Sequence, residues 1–426
     1  MRRCWFLVIL ASCLAMAACA SSGGAAKRGQ TATVIAFNPF SGPDASFGPE
    51  MMAGCESAVK SVNSAGGVLG LKLRCLAVDT RGDPADAVPA ANKMLATTSN
   101  VFGVIGPSSD EADATAPLIN QAKVPMFADT GEASFDHTSL KYFWRITPAD
   151  DIKGYAMAIW AIKHGYLRGA AIFGNDISSQ SNVPTLVKAY GLLGGKIVVN
   201  ESVALDQPSY RAEVARVIAA HPQVIFTEAS PQTDATFLSE LQQQGALIPV
   251  MGTDTTLQPQ WLTAVSGAIG KTTLSKYYTG EQPYAPASGP SWANYNKSLL
   301  ASSASVPKPS QWSTDSYSMT DYDAVIVMAL AAAAAKSTNP AIFNAWIPAV
   351  TTPASGKTVV HSFAEGIKAL QAGKHIQYIG AGGIIDFNTW HNNPGGFEIA
   401  SYHTNGKISL IGSVTAGQIA PLLKRR

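Results

Sequence analysis

From residue 33 onward, short apolar runs alternate with stretches in which apolar residues recur every three or four positions. The run Thr33-Val34-Ile35-Ala36-Phe37, bounded by Asn38-Pro39, reads as a buried strand. Between Pro49 and Asn63, Met52, Cys55, Val59 and Val62 keep a helical period that Gly66-Gly67 ends. Leu73 to Val78 is predicted as a strand, and Asp83-Pro84 opens a helix to about Leu95. Val101 to Ile105 is the next strand, Asp110 to Ala122 a helix, and Val124 to Phe127 a strand. After a break at Arg145 to Asp151 the alternation resumes. Helices are predicted at Ile152–His164, Asn182–Leu193, Tyr210–Ala220 and Thr233–Gln244. Strands are predicted at Ala170–Phe173, Lys196–Val199, Val224–Thr227 and Pro249–Met251. The remainder is less regular. Its clearest elements are a helix at Asp321–Lys336 and strands at Ile384–Phe387 and Phe397–Tyr402. Strands alternating with helices of this length predict an α/β protein of two doubly wound parallel-sheet units. The late elements imply that the chain returns to complete each unit.

The first residues follow a different pattern. Arg2 and Arg3 precede an apolar stretch from Trp5 to Met16, and Met16-Ala17-Ala18-Cys19 closes it. The apolar run is too short for an uninterrupted span, which needs roughly 20 residues, so it reads as an export signal. A cysteine at the cleavage point makes the segment resemble a bacterial lipoprotein signal, with residues 1–18 removed and Cys19 lipidated. Leu10-Ala11-Ser12-Cys13 is a rival site with a very short apolar region, and cleavage near Ala20 without a lipid is the third possibility. Residues 19–30, small, polar and rich in Gly and Ser, read as a flexible tether. The expected location is outside the cytoplasm: anchored to the outer face of the cytoplasmic membrane, or periplasmic.

Composition narrows the function. Of 426 residues, 46% are hydrophobic and 14% charged, enough for two ordinary cores. The 31 Lys and Arg include Arg2 and Arg3, so loss of the signal leaves 29 basic against 29 acidic residues. That balance recruits neither nucleic acid nor an anionic surface. With Cys4 and Cys13 in the signal and Cys19 lipidated, Cys55 and Cys75 remain, either as one disulfide or as two buried thiols. A disulfide would staple the first helix to the second strand.

Catalytic signatures fail. Gly270-Lys271-Thr272 lacks the first glycine of a phosphate loop, which falls on Val265. Gly380-Ala381-Gly382-Gly383 lacks the last glycine of a dinucleotide fingerprint and precedes its strand. Ser57-Ala58-Val59-Lys60 lies on a helix without the companion motifs of a Ser-x-x-Lys enzyme. The seven histidines are scattered, and no metal or cofactor is expected.

Ligands of open α/β sheets bind beyond the carboxyl ends of the strands. The loops there are Phe40–Gly48, Gly106–Ser109 and Asp129–Glu132 in the first unit, and Gly174–Ser179, Ser230–Gln232 and Gly252–Asp254 in the second. Together with Val62–Gly67, Tyr142–Asp150, Tyr322-Asp323-Ala324 and Gly383–Phe387, they resemble the type I periplasmic solute-binding proteins of ABC importers. The resemblance is to the branched-chain amino acid (Leu/Ile/Val) receptor group. It implies two lobes joined by three crossovers near residues 147, 277 and 390. Residues 31–146 and 278–390 would form the first lobe, 147–277 and 391–426 the second.

The resemblance also implies site residues. Ser108 and Ser109 match donors to a ligand carboxylate. Thr130, Gly131 and Glu132 fall in a loop that in the group reads like Pro-Gly-Ala-Thr. Glu132 stands where a Thr would meet that carboxylate, and two like charges repel in a closed cleft. Either Glu132 faces solvent or the ligand has no free carboxylate there. Asp254 matches the acid that accepts the ligand's ammonium, and its bland role is to cap the segment from Thr255. Phe47 matches an aromatic wall, whereas Ser179 (or Ser178) and Ser230 replace aromatic positions, which argues against simple Leu/Ile/Val specificity. The expected protein is a non-catalytic, monomeric receptor for a small polar, amino acid-like or amide-like ligand. Permease and ATPase would be separate chains. A sensor of the same fold, reporting to a membrane partner, is the alternative.

Overall fold

The computed structural model describes residues 31–42 and 44–423. The signal, Cys19 and the tether lie outside the described residues. Two parallel sheets organise the chain. The first contains β1 (Thr31–Asn38), β2 (Lys72–Asp79), β3 (Val101–Ile105), β4 (Met126–Phe127) and β5 (Phe143–Trp144) in the order β2-β1-β3-β4-β5. β1 lies inside the sheet and is buried from Ala32 to Asn38, which is why its middle, Val34 to Phe37, is continuously apolar. β2 lies at the edge and alternates between exposed and covered positions.

The helices Phe47–Ser64 and Ser316–Ala335 cover one face of this sheet, and Pro84–Thr97 and Ala112–Gln121 the other. Ser316–Ala335 is long and apolar enough to cross a membrane, yet it is buried almost all round in the first lobe. Its close approach to the first helix needs Gly54, where an added Cβ would lie 2.4 Å from the Ser318 carbonyl oxygen. Cys55 and Cys75 form the disulfide that ties the first helix to β2, with Cα atoms 6.2 Å apart.

The second sheet takes β6 (Arg168–Gly174), β7 (Lys196–Val203), β8 (Val224–Glu228), β9 (Val250–Gly252) and β10 (Tyr278–Pro283). A small separate sheet holds β11 (Thr358–Val360), β12 (Ile376–Gly380) and β13 (Gly383–Ile384). β14 (Phe397–Tyr402) and β15 (Ile408–Val414) return to the second sheet antiparallel, giving the order β15-β14-β10-β9-β8-β6-β7.

Three expectations are corrected. β10 belongs to the second sheet, so that crossover follows Pro283 instead of falling near residue 277. The helices Pro259–Ile269 and Lys271–Tyr277 complete a β9-helix-β10 unit, and such a unit returns its strand to the sheet it left. In the segment 384–387 only Ile384 pairs, as part of β13. Ile385 and Phe387 instead pack into the first-lobe core, with Phe387 4.9 Å from the Trp144 ring. The helix expected at Asp321 begins earlier, at Ser316, because the Asp315 side chain caps it by accepting from the Ser318 N–H at 2.7 Å.

Arg145 pins two of the crossovers together. It is fully buried, its Nε donates to Asn392 Oδ1 at 3.0 Å, and its guanidinium pairs with Asp136. Its backbone N–H donates to the His391 carbonyl at 3.0 Å, and its own carbonyl accepts from the Asn393 N–H at 2.9 Å.

Candidate functional site

In each parallel sheet the strand order reverses at one point, between β1 and β3 in the first and between β6 and β8 in the second. Loops leaving the carboxyl ends of strands at such points leave a crevice. Here the crevices of both lobes face one cleft of about 320 Å³. From the first lobe come Asp44, Ser46, Phe47 and Met51 after β1, Ser108 and Asp110 after β3, and Asp129, Thr130 and Gly131 after β4. Tyr317 joins them from the first turn of its helix. The second lobe supplies Asp176, Ser178 and Ser179 after β6, Glu228, Ala229 and Ser230 at the end of β8, and Thr255, Gln258 and Trp261 beyond β9. Lys153 enters from the helix Asp150–Lys163.

Most of the residues expected from sequence meet here. Phe47, Ser108, Thr130, Gly131, Ser179 and Ser230 line the cleft. Phe47 packs edge-on against Tyr317 with ring centroids 5.7 Å apart. Ser108 is 3% exposed, and its hydroxyl has no hydrogen-bond partner among the described residues. Ser230 also caps the helix Pro231–Gln243, accepting from the Thr233 N–H at 3.2 Å. Ser109 opens the short turn Ser109–Glu111, and its side chain lies outside the described residues.

Glu132 and Asp254 are placed differently from expectation. Glu132 is 2% exposed, so it does not face solvent, and it does not line the cleft. It sits beside Arg145, whose guanidinium donates to the Glu132 carbonyl at 3.0 Å. Asp254 stands behind the cleft wall with two partners already in place. Lys153 Nζ donates to Oδ1 at 2.7 Å, and the Tyr317 hydroxyl donates to Oδ2. All three side chains are nearly buried. A lysine of the protein itself therefore occupies the position expected for a ligand ammonium. The hydroxyl of Tyr317 ties the first lobe to the second.

The electrostatics are dominated by acids. Five carboxyl side chains (Asp44, Asp110, Asp129, Asp176 and Glu228) line the cleft, against Lys153 as the single Lys or Arg. Burial pushes Asp110 up to about 6, and the neighbouring Asp176 and Asp44 push the same way. The Ser178 N–H of the second lobe offsets this by donating to Asp110 across the cleft. Asp129 at the cleft pairs with Asp321 behind the first-lobe wall, where Glu50 also pairs with Asp315. Burial raises all four, and each pair stays together by holding a proton between its carboxyl groups. Glu228 is held by Thr253 Oγ1 at 2.5 Å and Asn182 Nδ2 at 3.1 Å. Sequence reading passed over these acids because single carboxylates in loops carry no spacing signal. Lys153 had one weak mark, as the lone cation in the apolar run Ile152–Trp160. No group of three or more His, Cys, Asp or Glu among the described residues is arranged to hold a metal ion.

Comparison with known proteins agrees with this architecture. The periplasmic binding protein family model matches residues 32–359. The Leu/Ile/Val-binding protein BraC3 of Rhizobium johnstonii is 24% identical over 225 residues, 52% of this chain and 61% of that protein. The chain thus spans about three fifths of that relative's length. A Leu/Ile/Val-binding protein homolog of Brucella suis is 23% identical over 310 residues, 71% of this chain and 78% of the relative. Among solved structures, a leucine-binding protein from Thermotoga maritima superposes with a TM-score of 0.69 at 18% identity, covering 91% of this chain and 98% of that one. A solute-binding protein from R. palustris in complex with 4-hydroxybenzoate gives 0.69 at 17% identity, covering 90% and 97%. The two-lobed fold, the cleft between the strand ends and the family match over most of the sequence lead to one conclusion: the chain belongs to the periplasmic binding protein family, whose members bind solutes outside the cytoplasm and are not enzymes.

Proposed function

We propose that this protein is the solute receptor of an ABC importer, held at the membrane by a lipid on Cys19, that closes its lobes over a small polar ligand. The observation that carries the reading is the cleft formed by the strand-end loops of both lobes. A ligand seated there touches both lobes at once only when they are closed. It therefore stabilises the closed form by its extra contacts, and the closed form is what a transporter can read. Permease and ATPase are separate chains in this reading.

Relatives of the fold differ in what their names state they bind, from leucine to 4-hydroxybenzoate. The ligand here is proposed to be amino acid-like or amide-like. The serines at positions 179 and 230 widen the second-lobe side of the pocket and make it more polar.

A thermal-shift screen of the purified protein against amino acids, amides, polyamines and aromatic acids tests the receptor reading. A solute present at 100 times its Kd stabilises the folded form by about 2.7 kcal/mol. The expected result is a raised melting temperature with one class, lost in Ser108→Leu, which fills the cleft. No shift with any class refutes the reading. The anchor has its own test. Cys19→Ser is expected to release the protein from the membrane fraction and abolish lipid labelling, and an unchanged membrane fraction refutes it. Several acyl chains matter here, since one binds a bilayer only marginally.

A further inference from the structure

We propose that the cleft selects a solute carrying a cationic nitrogen and no free carboxylate, held where Asp44 and Asp110 of the first lobe meet Asp176 and Glu228 of the second. The proposal rests on the receptor reading above and names the solute class for that same cleft.

Five carboxyl side chains line the cleft. Asp129 shares a proton with Asp321, which leaves Asp44, Asp110, Asp176 and Glu228. The one Lys or Arg among the lining residues, Lys153, already donates to Asp254 at 2.7 Å. A ligand carboxylate would enter a water-poor space rich in like charge, with that cation already matched. Such a placement is repulsive and costs desolvation as well. An ammonium or guanidinium would meet charge-assisted acceptors instead.

The Ser108 hydroxyl lines the cleft at 3% exposure with no partner among the described residues. A buried hydroxyl left unmatched is unfavourable, and a polar ligand supplies what it lacks.

Geometry then explains how the ligand would control closure. Asp44 and Asp110 belong to one lobe and Asp176 to the other, and Asp110 feels both neighbours through space. Closing the empty cleft brings these like charges together. A cation between them converts the repulsion into attraction, which is a differential interaction with the closed state. Phe47, Met51, Leu205 and Trp261 provide apolar wall for the body of the molecule. A cavity of about 320 Å³ suits a small amine with a hydrocarbon portion.

Isothermal titration calorimetry of the purified protein with leucinamide, agmatine, leucine and N-acetylleucine tests this. Leucinamide keeps the cation of leucine and removes its carboxylate, and N-acetylleucine does the reverse. The expected result is binding of leucinamide, agmatine or both, with leucine at least about tenfold weaker than the better cation and N-acetylleucine silent. Asp110→Asn and Asp176→Asn are each expected to weaken the cation about tenfold or more without lowering the ligand-free melting temperature. Tighter binding of leucine or N-acetylleucine than of both cations overturns the proposal and leaves the receptor reading standing. Cation binding indifferent to both Asn variants also overturns it. Silence of all four probes overturns it too, and the wider thermal-shift panel then decides the receptor reading alone.

Discussion

Replacing Asp254 by Ala separates two roles for this acid. If it waits for a ligand ammonium, the ligand-free protein should hardly notice its loss. The structure places it instead under the Lys153 ammonium at 2.7 Å and the Tyr317 hydroxyl. At that distance the pair attracts by about 6 kcal/mol at an effective dielectric of about 20, most of which offsets the desolvation of two nearly buried charges. Deleting the carboxylate leaves the desolvation of Lys153 without its compensation, because the lysine is only 5% exposed. The expected loss is about 3–5 kcal/mol, with the orphaned Tyr317 hydroxyl contributing about 1 kcal/mol of it. Native-state hydrogen exchange over β6, β8 and β9 in increasing urea, without ligand, reads the second lobe separately, since a two-lobed chain need not unfold in one step. The double variant Lys153→Met with Asp254→Leu should recover most of the loss, because an apolar pair of similar volume needs no compensation. A ligand-free loss below about 1 kcal/mol, well under that expected for breaking a buried ion pair, refutes the reasoning and returns Asp254 to the ligand.

Two further outcomes follow from the first lobe. Burial pushes Glu111 up to about 8, while Thr80 Oγ1 donates to it at 3.0 Å and the Ser108 N–H at 3.3 Å. The folded state holds this proton more tightly than the unfolded chain, so its stabilising contribution is complete below about pH 4.5 and is lost as pH rises towards about 8. Glu111→Gln should therefore fold normally at neutral pH and flatten the fall of the urea midpoint between those limits, and equal slopes in the two proteins would contradict this. The Cys55–Cys75 bridge closes a separation of 20 residues. Its removal by Cys55→Ala with Cys75→Ala is expected to cost about 3 kcal/mol in the same denaturation assay, and an unchanged midpoint would contradict that.

The alternation of apolar runs with helical periods was enough to predict two parallel α/β units, because a strand buried on both faces, such as β1, carries an unbroken apolar run through its middle. Residues joined to such strands by short loops were also legible. Phe47, Ser108, Thr130 and Ser230 sit in segments whose place at the strand ends follows from the alternation itself. What failed was whatever depends on distant partners. The fate of β10 hinged on pairing with β9 and β14, whereas the earlier start of the helix at Ser316 rests on a local cap, the Asp315 carboxylate, that the apolar period does not show.

The same division runs through the cleft. Sequence by itself determined which segments stand at the strand ends, since local chain order places them there. Only the tertiary structure decided which of their polar groups are already paired. Lys153 and Asp254 are 101 residues apart, and Tyr317 reaches the same carboxylate from the other lobe across 63. Local pattern records how a residue sits in its own element. A charge is matched in space, by whatever side chain the fold delivers, so the chemistry of the site became readable only once both lobes were in place.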